Sequence, residues 1–274
     1  MNSPVNWIGG KSRLYKKIIE LMPEHKCYVE PFAGGIWVLI NKEKSSVEVI
    51  NDVNKELINL YEVIKTDYIK MKENFNYIVS SREVFDYYKN MNEKDLDNMS
   101  KVDRAIRFLY LNRCSHSGRM ETYGYSNVRR SKICVITDDF DETIGKVHKR
   151  IKDIYIEHGD YKEMIRRYDK RLKCKETQKV LFYFDPPYDR TYNYKGKGID
   201  YDSFKSNICK MNSDWILSVK DSERMRILFK DYLILSTNVK ENIVNNKIEC
   251  SDRSELIILN YFPNKIPDGL VRLK

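Results

Sequence analysis

The sequence predicts an α/β fold that combines a parallel sheet with a mostly helical insertion. Strand-like and helical stretches alternate over residues 1–65 and again after residue 145. The run Val180–Phe184 is apolar throughout, as a parallel strand buried on both faces should be. Between these parts, residues 66–145 are polar, rich in Asn and Lys, and helical in pattern.

The first block supplies two helices and two strands. Apolar residues recur at helical spacing over Lys11–Leu21, which predicts the first helix. Cys27–Glu30 predicts a short strand that Pro31 ends. Val47–Ile50 predicts a second strand, and Asn54–Lys65 predicts a second amphipathic helix.

The middle block is interpreted as an insertion, and Val102–Leu111 is its most apolar helix. The next segment, Asn112–Ile136, has turn residues and no clear period, so it fits either a hairpin or a loop. The last block returns to alternating strands and helices. Its predicted elements are the helix Tyr161–Leu172 and the strands Ile154–Glu157, Val180–Phe184, Trp215–Val219, Tyr232–Ser236 and Leu256–Leu259.

The composition excludes several classes of protein. The 274 residues carry 49 Lys and Arg against 40 Asp and Glu, a net charge of +9, which favours a polyanionic partner weakly, since many basic surfaces have none. No apolar run approaches the roughly 18–20 residues of a membrane span, and the N-terminus lacks the pattern of a secretory signal. The six Cys form no C-x-x-C pair, and the four His have no metal-ligand spacing. We therefore expect a cytoplasmic protein in a reducing compartment, with no membrane association and no metal.

Two adjacent glycines follow the first predicted strand. Gly34-Gly35 precedes the apolar stretch Ile36–Ile40, and a glycine turn between strand and helix lets a ligand approach the backbone closely. Asp52 lies 18 residues after Gly34, at the end of the next strand, and that spacing suits a carboxylate that binds ribose hydroxyls. The alternative is a tight turn followed by an Asp that caps the helix Asn54–Lys65.

A second glycine pair, Gly9-Gly10-Lys11-Ser12, invites comparison with a phosphate-binding loop. That loop requires a glycine five residues before Gly10, where this chain has Val5, and it follows a strand instead of preceding the first one. We therefore reject a nucleoside triphosphatase. Lys11 is then either a solvated lysine at the start of a helix or a cation that faces an anionic group of a cofactor.

The most informative motif is Asp185-Pro186-Pro187-Tyr188, directly after the apolar strand Val180–Phe184. Ligands of open α/β sheets bind at the carboxyl ends of the strands. Two consecutive prolines remove two backbone donors and stiffen the turn. The groups left exposed are the Asp185 carboxylate, backbone carbonyls and the aromatic face of Tyr188. These acceptors and this stacking surface suit a planar base that carries an amino group.

With this motif, the chain resembles the Dam-like adenine-specific DNA methyltransferases, in which the cofactor motif precedes the catalytic motif. The matching stretches occur in the family's order and cover both ends of the chain. They are Asn6–Leu14, Tyr28–Lys42, Ile50–Leu60, Phe108–Gly118, Val180–Tyr188, Trp215–Asp221 and Glu255–Tyr261. One position departs from the family, since the second glycine of the cofactor loop is Ile36 here. We expect cofactor binding to survive this change.

The resemblance implies S-adenosylmethionine as methyl donor and a Rossmann-like methyltransferase sheet with an inserted, mostly helical target-recognition domain. Residues 1–65 and 146–274 would form the catalytic domain, and residues 66–145 the DNA target-recognition domain. Asp52 matches the ribose-binding acid, Asp185 the catalytic acid, and Asp160 an acid that contacts adenosine. The positions implied to bind the cofactor are Trp7, Lys11, Glu30, Phe32, Gly34, Asp52, Asp160 and Asp185.

The implied reaction is site-specific methylation of the 6-amino group of an adenine flipped out of double-stranded DNA. Asp185 and the Pro186 carbonyl would accept the hydrogens of the amino group, and Tyr188 would stack on the flipped base. Methylation of the cytosine 4-amino group, methylation of RNA and a catalytically inactive DNA-binding relative remain alternatives. Methylation of cytosine carbon 5 is excluded because none of the seven prolines precedes the Cys nucleophile that it needs.

DNA contacts are expected in the middle block, where the match to the family is poorest and basic residues occur. The candidates are Arg113, Arg119, Arg129, Arg130 and Lys132. A second basic cluster, between Arg166 and Lys179, lies on a predicted helix and its exit. A solvated helix face is the expected interpretation, and contact with DNA phosphates is the alternative. A cognate restriction endonuclease is left open as a partner, and so is the oligomeric state.

Overall fold

The computed structural model describes residues 1–115, 118–124, 140–169, 179–187, 198–237 and 254–273. A π-helical turn, Asp141–Gly145, runs directly into the helix that begins at Lys146. The strands are β1 Cys27–Glu30, β2 Val47–Asp52, β3 Tyr155–His158, β4 Val180–Phe184, β5 Asp214–Lys220, β6 Leu233–Thr237, β7 Glu255–Leu259 and β8 Leu270–Arg272. The helices are α1 Tyr15–Leu21, α2 Trp37–Asn41, α3 Lys55–Thr66, α4 Tyr68–Phe75, α5 Arg82–Lys89, α6 Glu93–Asp97, α7 Lys101–Arg113, α8 Lys146–Arg150, α9 Tyr161–Tyr168, α10 Tyr201–Ile208 and α11 Glu223–Leu228.

The chain divides into two compact units. The first comprises Met1–Tyr15, Ala33–Glu43 and Val49–Gly159. In it, β2 pairs with β3 in parallel, so that Asp52 and His158 lie side by side at the carboxyl ends of the two strands. Helix α3 packs against α7, α4, α8 and β3. Its buried face includes Leu57, Leu60 and Ile64, at the spacing of an amphipathic helix.

The second unit comprises Lys16–Phe32, Lys44–Glu48 and Asp160–Lys274. Its strands follow in the order β1-β4-β5-β7-β6-β8. The first three are parallel, and the register aligns Val29 with Phe182 and Phe182 with Trp215. Strand β7 is antiparallel to both β5 and β6, and β8 is antiparallel to β6. All but the first residue of β4 are buried, which confirms the prediction from its continuous apolar run.

Most predicted elements are present, and two helices have different ends. Helix α1 begins at Tyr15 and not at Lys11, because residues 11–14 form turns in which the Lys11 carbonyl accepts hydrogen bonds from the Leu14 and Tyr15 amides. Helix α9 ends at Tyr168 instead of Leu172. The next residue, Asp169, has non-helical backbone angles and accepts hydrogen bonds from the amides of Asn212 and Ser213.

The predicted parallel α/β sheet is confirmed for β1, β4 and β5, and the C-terminal strands β6, β7 and β8 add antiparallel pairs to it. Helices α4, α5, α6 and α7 confirm the helical pattern of the middle block. Whether residues 66–145 form a separate domain stays a prediction. Within the described ranges, no helix has both the length and the apolar character needed to cross a membrane.

Candidate active site

The glycine turn after β1 is held from several sides within the first unit. The Ala33 amide donates to the Asn51 carbonyl at 2.8 Å, and the Gly34 amide donates to Asp52 Oδ2 at 3.1 Å. The buried hydroxyl of Tyr61, from α3, donates to the Gly34 carbonyl. The carboxyl end of β2 and a side chain of α3 therefore set the path of this turn together.

Gly34 could not be replaced by another residue without strain. Its φ of +44° lies in the left-handed region, which residues with a Cβ adopt at a cost. A Cβ built there would lie 2.7 Å from Nε1 and 2.8 Å from Cδ1 of Trp7. The indole of Trp7 therefore lies directly against the Gly34 backbone, and this brings together two of the residues that the resemblance singled out.

Asp52 is 3% exposed, and both of its carboxylate oxygens have a backbone donor. Oδ2 accepts from the Gly34 amide, and Oδ1 accepts from the Asn54 amide at 2.9 Å. The cap of α3 is instead the side chain of Asn54, which accepts from the Glu56 and Leu57 amides. The alternative that Asp52 caps this helix is therefore wrong. Burial raises the pKa of the Asp52 carboxyl, and its backbone hydrogen bonds oppose that shift.

Lys11 is 3% exposed, and its Nζ donates to the Gly9 carbonyl at 2.8 Å. It also lies in the turns before α1 and not in a helix. The alternative of a solvated lysine at a helix start is therefore wrong. Lys11 directly follows Gly10, and a buried cation requires polar or anionic partners, so it suits an anionic group of a ligand.

Ile36, which replaces the second glycine of the family's loop, keeps a glycine-like backbone. Its φ is +46° and its side chain is buried. A β-branched residue in this region is strained, by roughly 1–2 kcal/mol. The turn therefore has the same local conformation that a glycine would adopt freely, and the buried side chain compensates for the strain.

In the second unit, the carboxyl end of β4 presents the acid–proline motif. Asp185 follows β4 directly and is half-buried, and Pro186 is buried. The hydroxyl of Tyr201, at the start of α10, donates to the Pro187 carbonyl at 3.3 Å. This contact and the two proline rings hold the exit of the strand in place. Tyr188, the predicted stacking residue, lies outside the described residues.

Strand β1 ends at the same edge of the sheet, because β1 and β4 are parallel neighbours. Its last residue, Glu30, is buried. Phe32, two residues further on, packs in a cluster of aromatic rings, with centroid distances of 5.5 Å to Tyr161 and 6.4 Å to Phe184. Glu30, Phe32 and Asp185 are thus presented at one edge of the sheet, where α/β proteins bind ligands.

Asp160 has a structural role that the sequence did not indicate. It is the N-cap of α9, and its exposed side chain accepts from the Lys162 amide at 2.8 Å. This contact uses one carboxylate oxygen, so the other oxygen can still accept a hydrogen bond from a ligand.

The candidate DNA-contacting residues are only partly within the described residues. Arg113 is half-buried at the end of α7, and Arg119 is exposed. Arg129, Arg130 and Lys132 lie outside the described ranges. An isolated antiparallel bridge pairs Ser115 with Tyr123, on either side of Arg119, which supports the hairpin interpretation for this part of the segment.

Sequence reasoning assigned no role to Asn112, the last buried residue of α7. Its side chain bonds to the backbone of Asn6 and of Gly118. The one signal in the sequence that could have indicated a role for Asn112 is its place in the stretch Phe108–Gly118, which matches the family. Among the described residues, no three His, Cys, Asp or Glu side chains cluster so that they could hold a metal.

A mixed α/β fold with this glycine turn and this acid–proline strand exit is what the resemblance to the amino-group methyltransferases implies. Residues 7–243 match the model of the D12 class N6 adenine-specific DNA methyltransferases, and the chain belongs to that family. It is therefore a DNA adenine methyltransferase with a Rossmann-like sheet. The family does not favour the alternatives of cytosine methylation or of an inactive DNA-binding relative.

Relatives with known names agree with this membership. The chain is 26% identical to the type II methyltransferase M.MjaIII of Methanocaldococcus jannaschii, over 94% of this chain and 98% of the relative. It is 29% identical to the type II methyltransferase M1.LlaDCHI of Lactococcus lactis subsp. cremoris, over 93% and 94%. It is 32% identical to the DNA adenine methylase of Escherichia coli (strain K12), over 42% and 41%.

Proposed function

We propose that this chain transfers a methyl group from S-adenosylmethionine to the 6-amino group of an adenine flipped out of duplex DNA, at a specific sequence. The observation that carries the proposal is the exit of β4. There, an acidic side chain and proline carbonyls follow a buried parallel strand, and the Tyr201 hydroxyl holds the turn. The arrangement presents acceptors, which is what an amino group requires.

The residues of the glycine turn fit S-adenosylmethionine. The buried Asp52 carboxylate accepts one backbone hydrogen bond on each oxygen and retains capacity for the hydroxyls of a ribose. The absence of a side chain at Gly34 lets the backbone come close to a ligand, and Trp7 adds an aromatic face next to it. We assign Lys11, Glu30, Phe32 and Asp160 to the same cofactor by their match to the family.

The bound cofactor supplies an electrophilic methyl group, and the chain has to make the adenine amino group nucleophilic. The lone pair of that nitrogen is delocalised into the ring. Hydrogen bonds from the amino group to the Asp185 carboxylate and to the Pro186 carbonyl localise electron density on nitrogen and favour pyramidal geometry. Orientation and electrostatics suffice, so no covalent intermediate with the protein is required.

Residues 66–145 are proposed to recognise the target sequence, with Arg113, Arg119, Arg129, Arg130 and Lys132 as DNA contacts. Two of the relatives are named type II methyltransferases. We therefore propose that the chain protects DNA in a restriction–modification system. Methylation-sensitive sequencing of DNA from a host that expresses the chain would identify the methylated sequence, and a genome without a methylated motif would contradict site-specific methylation.

The reaction is tested by incubating the protein with S-adenosylmethionine, radiolabelled on the methyl group, and duplex DNA, single-stranded DNA or RNA. Digestion to nucleosides then separates N6-methyladenosine products from N4-methylcytosine products. We expect label in methylated deoxyadenosine from duplex DNA and none with Asp185→Ala. Label in cytosine or RNA would overturn the proposed substrate.

A further inference from the structure

Asn112 makes an unusually complete set of contacts for a buried amide. Its Oδ1 accepts from the Asn6 amide at 2.8 Å, and its Nδ2 donates to the Asn6 carbonyl at 2.8 Å and to the Gly118 carbonyl at 3.3 Å. The residue is 0% exposed. Only a side-chain amide can both accept and donate in this way, so neither Asp nor Leu could replace it without leaving buried polar groups unsatisfied.

Gly118 lies close to the same peptide. Its φ is +73°, and a Cβ there would lie 2.1 Å from the Asn6 carbonyl oxygen. The backbone of Asn6 is therefore in close contact with both the Asn112 amide and the Gly118 backbone. We call these three residues the Asn6 clamp.

The Asn6 clamp fixes the chain immediately before Trp7. The Trp7 carbonyl is also fixed, since it accepts from the Gly10 amide at 2.9 Å. The indole of Trp7, between these two fixed points, lies against Gly34. The Gly34 amide in turn donates to the Asp52 carboxylate. A shift of the Asn6 peptide would therefore move the indole relative to the turn.

We propose that Asn112 is a positioning residue, which holds Trp7 against the glycine turn and so sets the affinity for S-adenosylmethionine. This inference rests on the proposed function of that turn. It assigns a role in cofactor binding to a residue at the end of α7, in the stretch that leads into the segment proposed to contact DNA.

The test compares Asn112→Ala with Asn59→Ala as the matched control. Asn59 is also a buried Asn, and its Nδ2 donates to the Lys101 carbonyl at 2.9 Å, away from Trp7. We expect Asn112→Ala to weaken S-adenosylmethionine binding by about tenfold, as the loss of one or two hydrogen bonds would. KM for the cofactor should rise while kcat at saturation changes little. Asn59→Ala should lower the melting temperature only.

A double-mutant cycle with Trp7→Ala separates positioning from general destabilisation. If Asn112 acts through Trp7, Asn112→Ala should have little further effect on affinity once Trp7 is removed. Gly118→Ala provides a second variant should Asn112→Ala fail to fold, and it should give the same loss of affinity. Additive losses, or equal affinities in the Asn112 and Asn59 variants, would overturn the proposal. A wild-type protein that binds no S-adenosylmethionine would instead overturn the proposed function.

Discussion

At the scale of single residues, the proposed cofactor site depends most on Asp52. Its carboxylate is buried and takes one backbone donor on each oxygen. Asp52→Ala should weaken S-adenosylmethionine binding by about 1.5–3 kcal/mol, the range for hydrogen bonds to a charged group. Calorimetry measures this loss directly. Asp169→Ala is the matched control, since Asp169 also accepts two backbone amides but lies at the end of α9. Unchanged affinity in a folded Asp52 variant would refute the assignment.

The same carboxylate should give cofactor binding a pH dependence. Burial raises the pKa of Asp52, so its proton is gained at a higher pH than in an ordinary Asp, whose pKa is about 3.9. The ionised form accepts hydrogen bonds from ribose, and protonation removes part of that capacity. Affinity should therefore fall on acidification while the pH is still above that ordinary value. Titrations of wild-type protein and Asp52→Asn would check this, and the variant should lose the dependence.

Asp185 should affect the chemical step more than binding. Asp185→Ala removes an acceptor for the amino group in the transition state, and we expect the single-turnover rate on duplex DNA to fall by at least about a hundredfold. Cofactor affinity should fall much less, because the contacts in the glycine turn remain. Rapid-quench measurement of methyl transfer, with affinity measured in parallel, distinguishes the two effects. A near wild-type rate would show that the catalytic role belongs to another residue.

At the scale of elements, the two glycines of the turn between β1 and α2 should differ in how well they tolerate substitution. Gly34 combines a left-handed φ with contact to Trp7. Gly35 has no left-handed φ, and a Cβ there would lie 3.0 Å from Ser3 Oγ and 3.1 Å from Trp37 Cδ1, contacts wider than the 2.7 Å at Gly34. Gly34→Ala should therefore lower the free energy of unfolding by at least about 1–2 kcal/mol from backbone strain alone, and more than Gly35→Ala. Urea denaturation of both variants measures the difference. Equal losses would mean that the left-handed conformation at Gly34 is not required.

The elements also show which parts of the structure local sequence determines. Strands β1 and β4 could be predicted because burial on both faces imposes apolar runs, and α3 because its apolar face repeats at helical spacing. The start of α1 could not, because the apolar spacing continues through the turns of residues 11–14. The end of α9 could not, because Asp169 accepts hydrogen bonds from the distant Asn212 and Ser213 amides. Strand β8 has only three residues, two of them exposed, so it has little pattern to detect.

Some residues of the candidate site could likewise be predicted from the sequence, and others could not. Gly34, Asp52 and Asp185 could be predicted from motif and spacing, since each lies next to a strand end. The contact of Trp7 with Gly34 and the Asn6 clamp join residues 27 and 106 positions apart, and no local pattern encodes such pairs. The cap by Asn54 similarly required the structure, because Asp52 and Asn54 are both good capping residues in sequence.

At the scale of the whole molecule, a net charge of +9 supports a polyanionic substrate but does not identify its binding surface. Basic residues that contact phosphates determine affinity and its salt dependence, while those that contact base edges determine sequence preference. Arg119 is exposed in the segment after α7, which packs on the helical block through Tyr123 and Phe85. Arg166, on α9, is exposed and paired with Glu163, as expected for a solvated helix face.

Single substitutions should therefore separate the proposed DNA contacts into two classes. Four arginines, at positions 113, 119, 129 and 130, are candidates for base contacts. Replacing one that reads a base with Ala should lower the discrimination at one base position by about 1–3 kcal/mol, so the methylated motif should be relaxed at that position. An Arg that contacts phosphate should weaken binding to all sequences and reduce the slope of log K against log salt by about 1. Methylation of a random-sequence DNA library, with binding measured at several salt concentrations, distinguishes these outcomes. Arg166→Ala is the control, and it should change neither motif nor slope. If all four variants lose activity alike while the motif is unchanged, sequence recognition lies outside this segment, and the residues after Tyr188 become the next to be replaced.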